Sequence, residues 1–220
     1  MAAIDLQTIR GTVRLRGDYV NTQKFPDSYL NTEIQSAFTE FYELIADTYQ
    51  GYWDTAANVT ATTNVAFVAL PADAWRVQAI DRLDGTDFLE MRQIGLEERN
   101  LFGSTTNKPA AYRLSSRGVE LFPTPNATYT LRVTYTPIAP ALAESTAREW
   151  YNGWEDYVIT GALLRVDQRQ ERPLNERMAV LDRCRARIVS GAQRRRSQEP
   201  QYIPLREGPR TLGLFTWDLD

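Results

Sequence analysis

Residues 58–71, Asn58-Val59-Thr60-Ala61-Thr62-Thr63-Asn64-Val65-Ala66-Phe67-Val68-Ala69-Leu70-Pro71, mark the point where the chain changes texture. Asn58 to Asn64 are small and polar. Apolar residues then alternate, Val65, Phe67 and Ala69 on one face and Val68 and Leu70 on the other, until Pro71 stops the run. A period of two reads as strand, whereas the residues before this stretch repeat at helical spacing. Asp27 and Ser28 offer an N-cap for a long helix that runs to Tyr49. Its apolar stripe is Leu30, Ile34, Ala37, Phe38, Phe41, Leu44, Ile45 and Thr48, with Glu33, Glu40, Glu43 and Asp47 mostly off it. Further upstream, residues 4–16 read as a short helix through Ile4, Leu6, Ile9, Val13 and Leu15.

Downstream the strand pattern continues. Trp75, Val77 and Ala79 alternate against Arg76, Gln78 and Asp81, and Asp84-Gly85 reads as the centre of a type I′ hairpin turn, which needs positive φ at both central residues. Phe88, Leu89 and Met91 form the returning strand, a short helix covers Leu96 to Leu101, and a loop follows from Gly103 to Pro109. Tyr112 and Leu114 make a strand that Arg117-Gly118 turns back through Val119 and Leu121. Tyr129, Leu131, Val133 and Tyr135 then share one face of a half-buried antiparallel strand.

Helical spacing returns after Pro137 and Pro140. Thr146-x-x-Glu149 has the form of a capping box for a helix to Gln170, with Trp150, Trp154, Tyr157, Val158, Gly161, Ala162 and Leu164 along one face. Pro173 suits the first turn of a second helix, 173–196, carrying Leu174, Met178, Leu181 and Ile188 against an arginine-rich back. The fold class is α+β. A helical body, made of the long N-terminal helix and a C-terminal helical hairpin, carries an inserted small antiparallel β-sandwich or barrel and an extended C-terminal arm. The expected boundaries are 1–57 and 141–196 for the body, 58–140 for the insertion and 197–220 for the arm. Pro200, Pro204, Gly208 and Pro209 make the arm neither helix nor strand core, yet it ends in Leu212, Leu214, Phe215, Trp217 and Leu219. So much apolar surface needs a cover. Strand spacing of Phe215, Trp217 and Leu219 fits addition to another chain's sheet edge, and folding back on the body is the alternative.

Composition removes whole classes of chemistry. The chain has no histidine and one cysteine, Cys184, which excludes Ser-His-Asp and Cys-His catalysis, histidine-metal sites and an internal disulfide framework. Nucleotide-binding glycine loops are absent. The acids Asp81, Asp84 and Asp87 beside the turn, and Glu40 with Glu43 a helical turn apart, read as turn and solvated-face residues rather than a catalytic pair. No catalytic residue, metal site or cofactor is expected. Nor does any stretch approach the roughly 18 apolar residues of a membrane span, so no membrane contact is expected.

Charge is distributed unevenly. Residues 1–59 carry a net −4, 60–140 are neutral, 141–196 carry +3 and 197–220 carry −2, and 23 of the 25 cations are arginine. Arginine's planar fork suits paired, partly buried carboxylate or phosphate contacts. Oppositely charged regions pair either between molecules or within one fold.

The order of these pieces carries a resemblance. Leu70-Pro71-Ala72-Asp73-Ala74-Trp75 leads into a strand, followed by Lys108-Pro109-Ala110-Ala111-Tyr112, Val119-Glu120-Leu121-Phe122-Pro123-Thr124-Pro125, Tyr135-Thr136-Pro137, and Trp154 to Ala162 on a helix. Over roughly residues 20–190 the chain resembles the head-to-tail adaptor (neck, or connector) proteins of short-tailed bacteriophages. That resemblance implies a structural virion protein of the neck, assembled in the host cytoplasm. It implies a ring of about twelve copies beneath the portal, joining it to the tail nozzle and framing the DNA exit channel. Its partners would be further copies of itself, the portal protein, the nozzle protein and, transiently and without specificity, genomic DNA.

Carried onto this chain, the resemblance makes 197–220 the portal-docking arm, with Leu212, Leu214, Phe215, Trp217 and Leu219 as its apolar anchors. It makes the hairpin helices ring-forming and turns the β insertion toward the tail. A ring closed by unlike surfaces needs two complementary faces on each subunit. Glu33, Glu40 and Glu43 on one side and Arg183, Arg187 and Arg194 on the other are the candidate pair. Two other readings compete. One is a nucleic-acid-binding regulator using Arg183, Arg185, Arg187 and Arg194 to Arg196. The other is a carbohydrate- or peptide-binding β module, which leaves Trp75 or Tyr112 exposed.

Overall fold

A computed structural model describes residues 2–102, 105–116, 118–144, 148–150 and 153–196. In chain order they begin with strand β1 (Ala2–Ile4), helix α1 (Leu6–Gly17) and helix α2 (Asp27–Thr48). The insertion follows as β2 (Thr55–Ala61), β3 (Phe67–Val68), β4 (Ala74–Asp84), β5 (Asp87–Glu90) and β6 (Arg92–Gln93). After a short 3-10 helix (Glu97–Phe102) come β7 (Thr106–Asn107), β8 (Ala111–Ser115), β9 (Gly118–Phe122), β10 (Thr124–Pro125) and β11 (Tyr129–Pro137). Strand β12 (Arg148–Trp150) and helices α3 (Glu155–Arg169) and α4 (Asn175–Arg196) return to the body. The class is α+β, as the periodicities indicate.

Helix α3 organises the body. Every residue from Tyr157 to Leu163 is buried, because α1, α2 and α4 pack around it. One residue without a side chain makes the closest of these contacts possible. A Cβ built on Gly161 would stand 3.1 Å from the Cβ of Ala37, so α2 and α3 meet almost backbone to backbone. Phe38, Phe41, Ile34 and Ile45 of α2 join Val158, Ala162 and Val166 of α3 in one core with Ile9 and Val13 of α1 and Ile188 of α4. An aromatic group closes the end of that core nearest the insertion. Tyr42 and Trp53 stack at 4.7 Å, Tyr52 meets Trp53 edge-on at 4.5 Å, and Phe41 meets Trp154 at 6.2 Å.

Several local expectations are corrected. Helix α2 is capped by Pro26, whose side chain makes no cap bond, and Asp27 is its first helical residue. The Asp27 carboxylate instead takes Arg14 at 2.6 Å and Arg10 at 3.4 Å from α1, and Arg14 holds its pKa below the ordinary value. On α1, Leu15 is exposed and Ile4 belongs to β1, so the buried line is Leu6, Ile9, Val13 and Gly17. The expected capping box is not used. Thr146 lies outside the described residues, Glu149 pairs with Ala3 in an antiparallel β1–β12 ribbon, and α3 starts only at Glu155, after Gly153 at φ +80°. On α3 the inward residue is Leu163 rather than Leu164, and on α4 Cys184, Ile188 and Ala192 are buried while Met178 is half exposed.

The insertion is built on β11, which pairs antiparallel with β2 on one side and β4 on the other. The sheet order is β2-β11-β4-β5, and a second four-stranded sheet runs β3-β9-β8-β6. Leu131, Val133 and Tyr135 of β11 face inward as their alternation requires, and they share a core with Ile80, Tyr112, Val119 and Leu121 from both sheets. Strand β2 was not legible as a strand. Its Thr-Ala-Ala-Asn-Val-Thr-Ala side chains are too small to signal burial, and the bulky β11 supplies the packing. Two register shifts between β4 and β11, at Thr134/Tyr135 and, beside Trp75, at Thr136/Pro137, reset the alternation. Ile80 is therefore the buried residue of β4, while Trp75 is exposed. The hairpin turn is also displaced by one residue. Asp84 pairs with Asp87, so Gly85 and Thr86 are central, and only Gly85 has positive φ, +68°, as in a II′ turn.

The Gly161–Ala37 contact predicts the cost of filling it. Gly161→Val is expected to destabilise the body by about 1–3 kcal/mol, the range for overpacked cores. Urea denaturation followed by circular dichroism measures this, and an unchanged midpoint would show that α2 and α3 can separate freely.

Candidate functional site

The opposite charges noted in the sequence meet in part within the chain. Glu33 is buried, with its carboxylate 3.1 Å from Arg169, whose guanidinium also lies 5.1 Å from the Tyr29 ring centre. Glu40 pairs with Arg165. Both arginines come from α3, three and seven residues after Ala162, so they fall on the flank that faces α2. Arg10 grips Glu144 with two bonds of 2.5 and 3.0 Å, tying α1 to the segment that returns from the insertion. Glu144's pKa is lowered chiefly by that bond.

The densest polar group was missed by sequence reasoning. Asp167 is buried on α3 and accepts a 2.5 Å hydrogen bond from the Tyr19 hydroxyl, an ion pair from Arg177 and a longer one of 3.5 Å from Arg172. A buried carboxylate needs this many donors to offset its lost hydration. Burial, followed by the hydrogen bond to Asp167, pushes the Tyr19 hydroxyl well above the ordinary tyrosine value. The elements involved lie 148 residues apart for Tyr19 and Asp167, so no local pattern could announce the pair.

Other candidates stay at the surface. Glu43 is exposed and has no ion-pair partner among the described residues. It borders a small cleft lined by Thr39, Tyr42, Trp75, Ile138 and Ala139. Arg183 is exposed, its Nε donating to the Ala179 carbonyl of its own helix at 3.2 Å. Arg187 donates to the Gly153 carbonyl and stands 3.8 Å from Asp156, which also takes Arg16 at 2.9 Å. Arg194 lies on α4, with its side chain outside the described residues, and Leu212, Leu214, Phe215, Trp217 and Leu219 all lie outside them. Tyr112 is buried and Trp75 is exposed by 37%. Among the described residues no cluster of three or more acids or cysteines is arranged to hold a metal, and no helix is long and apolar enough to cross a membrane.

These features suit a scaffold, a body braced by internal ion pairs with separate exposed patches. The family model for SU10 adaptor proteins matches residues 4–204. The chain belongs to the SU10 adaptor protein family. No curated protein sequence matches it. The adaptor is thus a structural protein of the phage neck, a head–tail adaptor that takes part in tail assembly and contacts other head and tail proteins. The match spans both the helical body and the β insertion.

The Tyr19–Asp167 bond gives a pH prediction. The adaptor's folded state holds the Tyr19 proton more tightly than the unfolded chain does, so this contribution is whole below the ordinary tyrosine value and is lost as pH rises beyond it. Tyr19→Phe is expected to lower stability near neutrality by about 1.5–3 kcal/mol, the range for a hydrogen bond to a charged group. Between about pH 9 and 11 the variant should lose stability less steeply than the parent in denaturant titrations. Parallel curves would refute the assignment.

Proposed function

We propose that the adaptor forms a closed ring of about twelve copies between portal and tail nozzle and frames the channel through which DNA leaves. The observation that carries this reading is the family match over residues 4–204. The expected division of labour follows the chain. Residues 1–57 with 141–196 form the body that meets ring neighbours, 58–140 the insertion that faces the tail, and 197–220 the arm that reaches the portal. The arm anchors are Leu212, Leu214, Phe215, Trp217 and Leu219. An arm that docks only on the correct partner makes assembly sequential, from host cytoplasm to virion.

The charges support a channel that lets DNA slide. Arg165, Arg169, Arg172 and Arg177 each pair with an acid of the same chain, and the whole chain carries a net −3. Attraction to phosphate is therefore weak and non-specific, as ejection requires. Ring closure needs unlike, complementary faces, for which exposed Glu43 on α2 and exposed Arg183 and Arg187 on α4 are suited.

Removing residues 212–220 tests the arm. The shortened chain is expected to keep its circular dichroism spectrum and to lose co-sedimentation with portal particles; retained attachment would rule out these anchors. Light scattering of the full chain mixed with portal is expected to give the mass of a closed multimer.

A further inference from the structure

The cleft beside Glu43 has the chemistry of a socket for one long cationic side chain. It encloses about 200 Å³ between α2, the start of β4 and the segment after β11. Trp75 is 37% and Ile138 55% exposed, two large apolar groups side by side on a polar surface. The Trp75 ring is held in place. The Arg76 guanidinium lies 4.0 Å over it, and Arg76 is itself fixed by Asp47 at 2.6 Å. A rigid indole loses little entropy on burial, which is why tryptophan anchors protein contacts. At the rim stands Glu43, the acid of α2 with no ion-pair partner among the described residues.

The matching surface is on the same chain. Arg183 and Arg187, four residues apart, share one face of α4. Arg187 and Arg16 of α1 converge on the single carboxylate of Asp156, which leaves that flank basic. It is the flank facing α1, whereas the cleft opens where α2 meets the insertion, so one subunit can present both at once. We propose that the Trp75–Ile138–Glu43 cleft receives Arg183 from the next copy of this chain, its stem against the indole and its guanidinium on Glu43. The inference rests on the ring reading, since joining two different faces is what closes or extends such a ring. An exposed ion pair alone contributes little, so Trp75 and Ile138 supply most of the contact and Glu43 its register.

Cross-linking separates this inference from the ring reading. In a Cys184→Ser background, Thr39→Cys, which lines the cleft, and Ala179→Cys, one helical turn before Arg183, are placed on separate chains that are mixed and treated with a short bis-maleimide, with Arg99→Cys on the insertion as control, and the mass of the parent chain is measured in parallel. A cross-link between positions 39 and 179 that is absent with Arg99 supports the contact, whether or not a closed ring is found. Closed rings without that cross-link overturn the contact and leave the ring; neither cross-link nor multimer overturns both. In a parent that self-associates, Trp75→Ala is expected to weaken association about 30-fold and Glu43→Gln only about 2–5-fold, with melting unchanged. Equal association of Trp75→Ala and parent would also overturn the proposal.

Discussion

The approach of α2 to α3 at Ala37 and Gly161 governs the rest of the body. Because the two backbones come so close, α3 sinks into the centre and presents apolar atoms on every side, and α1 and α4 then find surfaces to cover. The charges follow from the same geometry. Arg165 and Arg169 leave α3 at its edge with α2 and meet Glu40 and Glu33 there. Asp167, facing the other way, is buried and collects Tyr19, Arg172 and Arg177 from the elements that close over it. Arginine predominates because each of these sites asks for a planar, many-donor cation at a partly dry position.

A scaffold must hold its shape while neighbours pull on it. Two chain crossings join the insertion to the body, and both are braced. The Tyr42 hydroxyl donates to the Pro137 carbonyl at 3.0 Å, Thr136 donates to Asp54 at 2.7 Å, and Arg76 reaches Asp47. Above these braces β11 lies between β2 and β4, so that displacing one strand would disturb the whole sheet. These bonds fix the insertion on the body of a chain that belongs to a family of structural phage proteins.

Much of this was legible in the chain itself. The stripe from Leu30 to Ile45 and the alternation from Tyr129 to Tyr135 each reflect a local period that burial of one face imposes, and both elements formed, whereas the change of texture at Asn58 falls inside β2. Lack of histidine, with a single cysteine, narrows the chemistry open to the chain whatever its fold. Order of the pieces then pointed to the adaptor family, because an insertion between helices constrains spacing over the whole length.

What the tertiary structure alone decided is which polar groups are inside and which charges meet. Glu33 sits on a helix among other glutamates and differs from Glu43 only in what packs beside it. The bulge that turns Trp75 outward arises from pairing with β11, and the strand at 148–150 from pairing with residues 2–4. Periodicity is a property of a segment and can be read from it, whereas a hydrogen bond between Tyr19 and Asp167 belongs to two segments and exists only once the chain has closed upon itself.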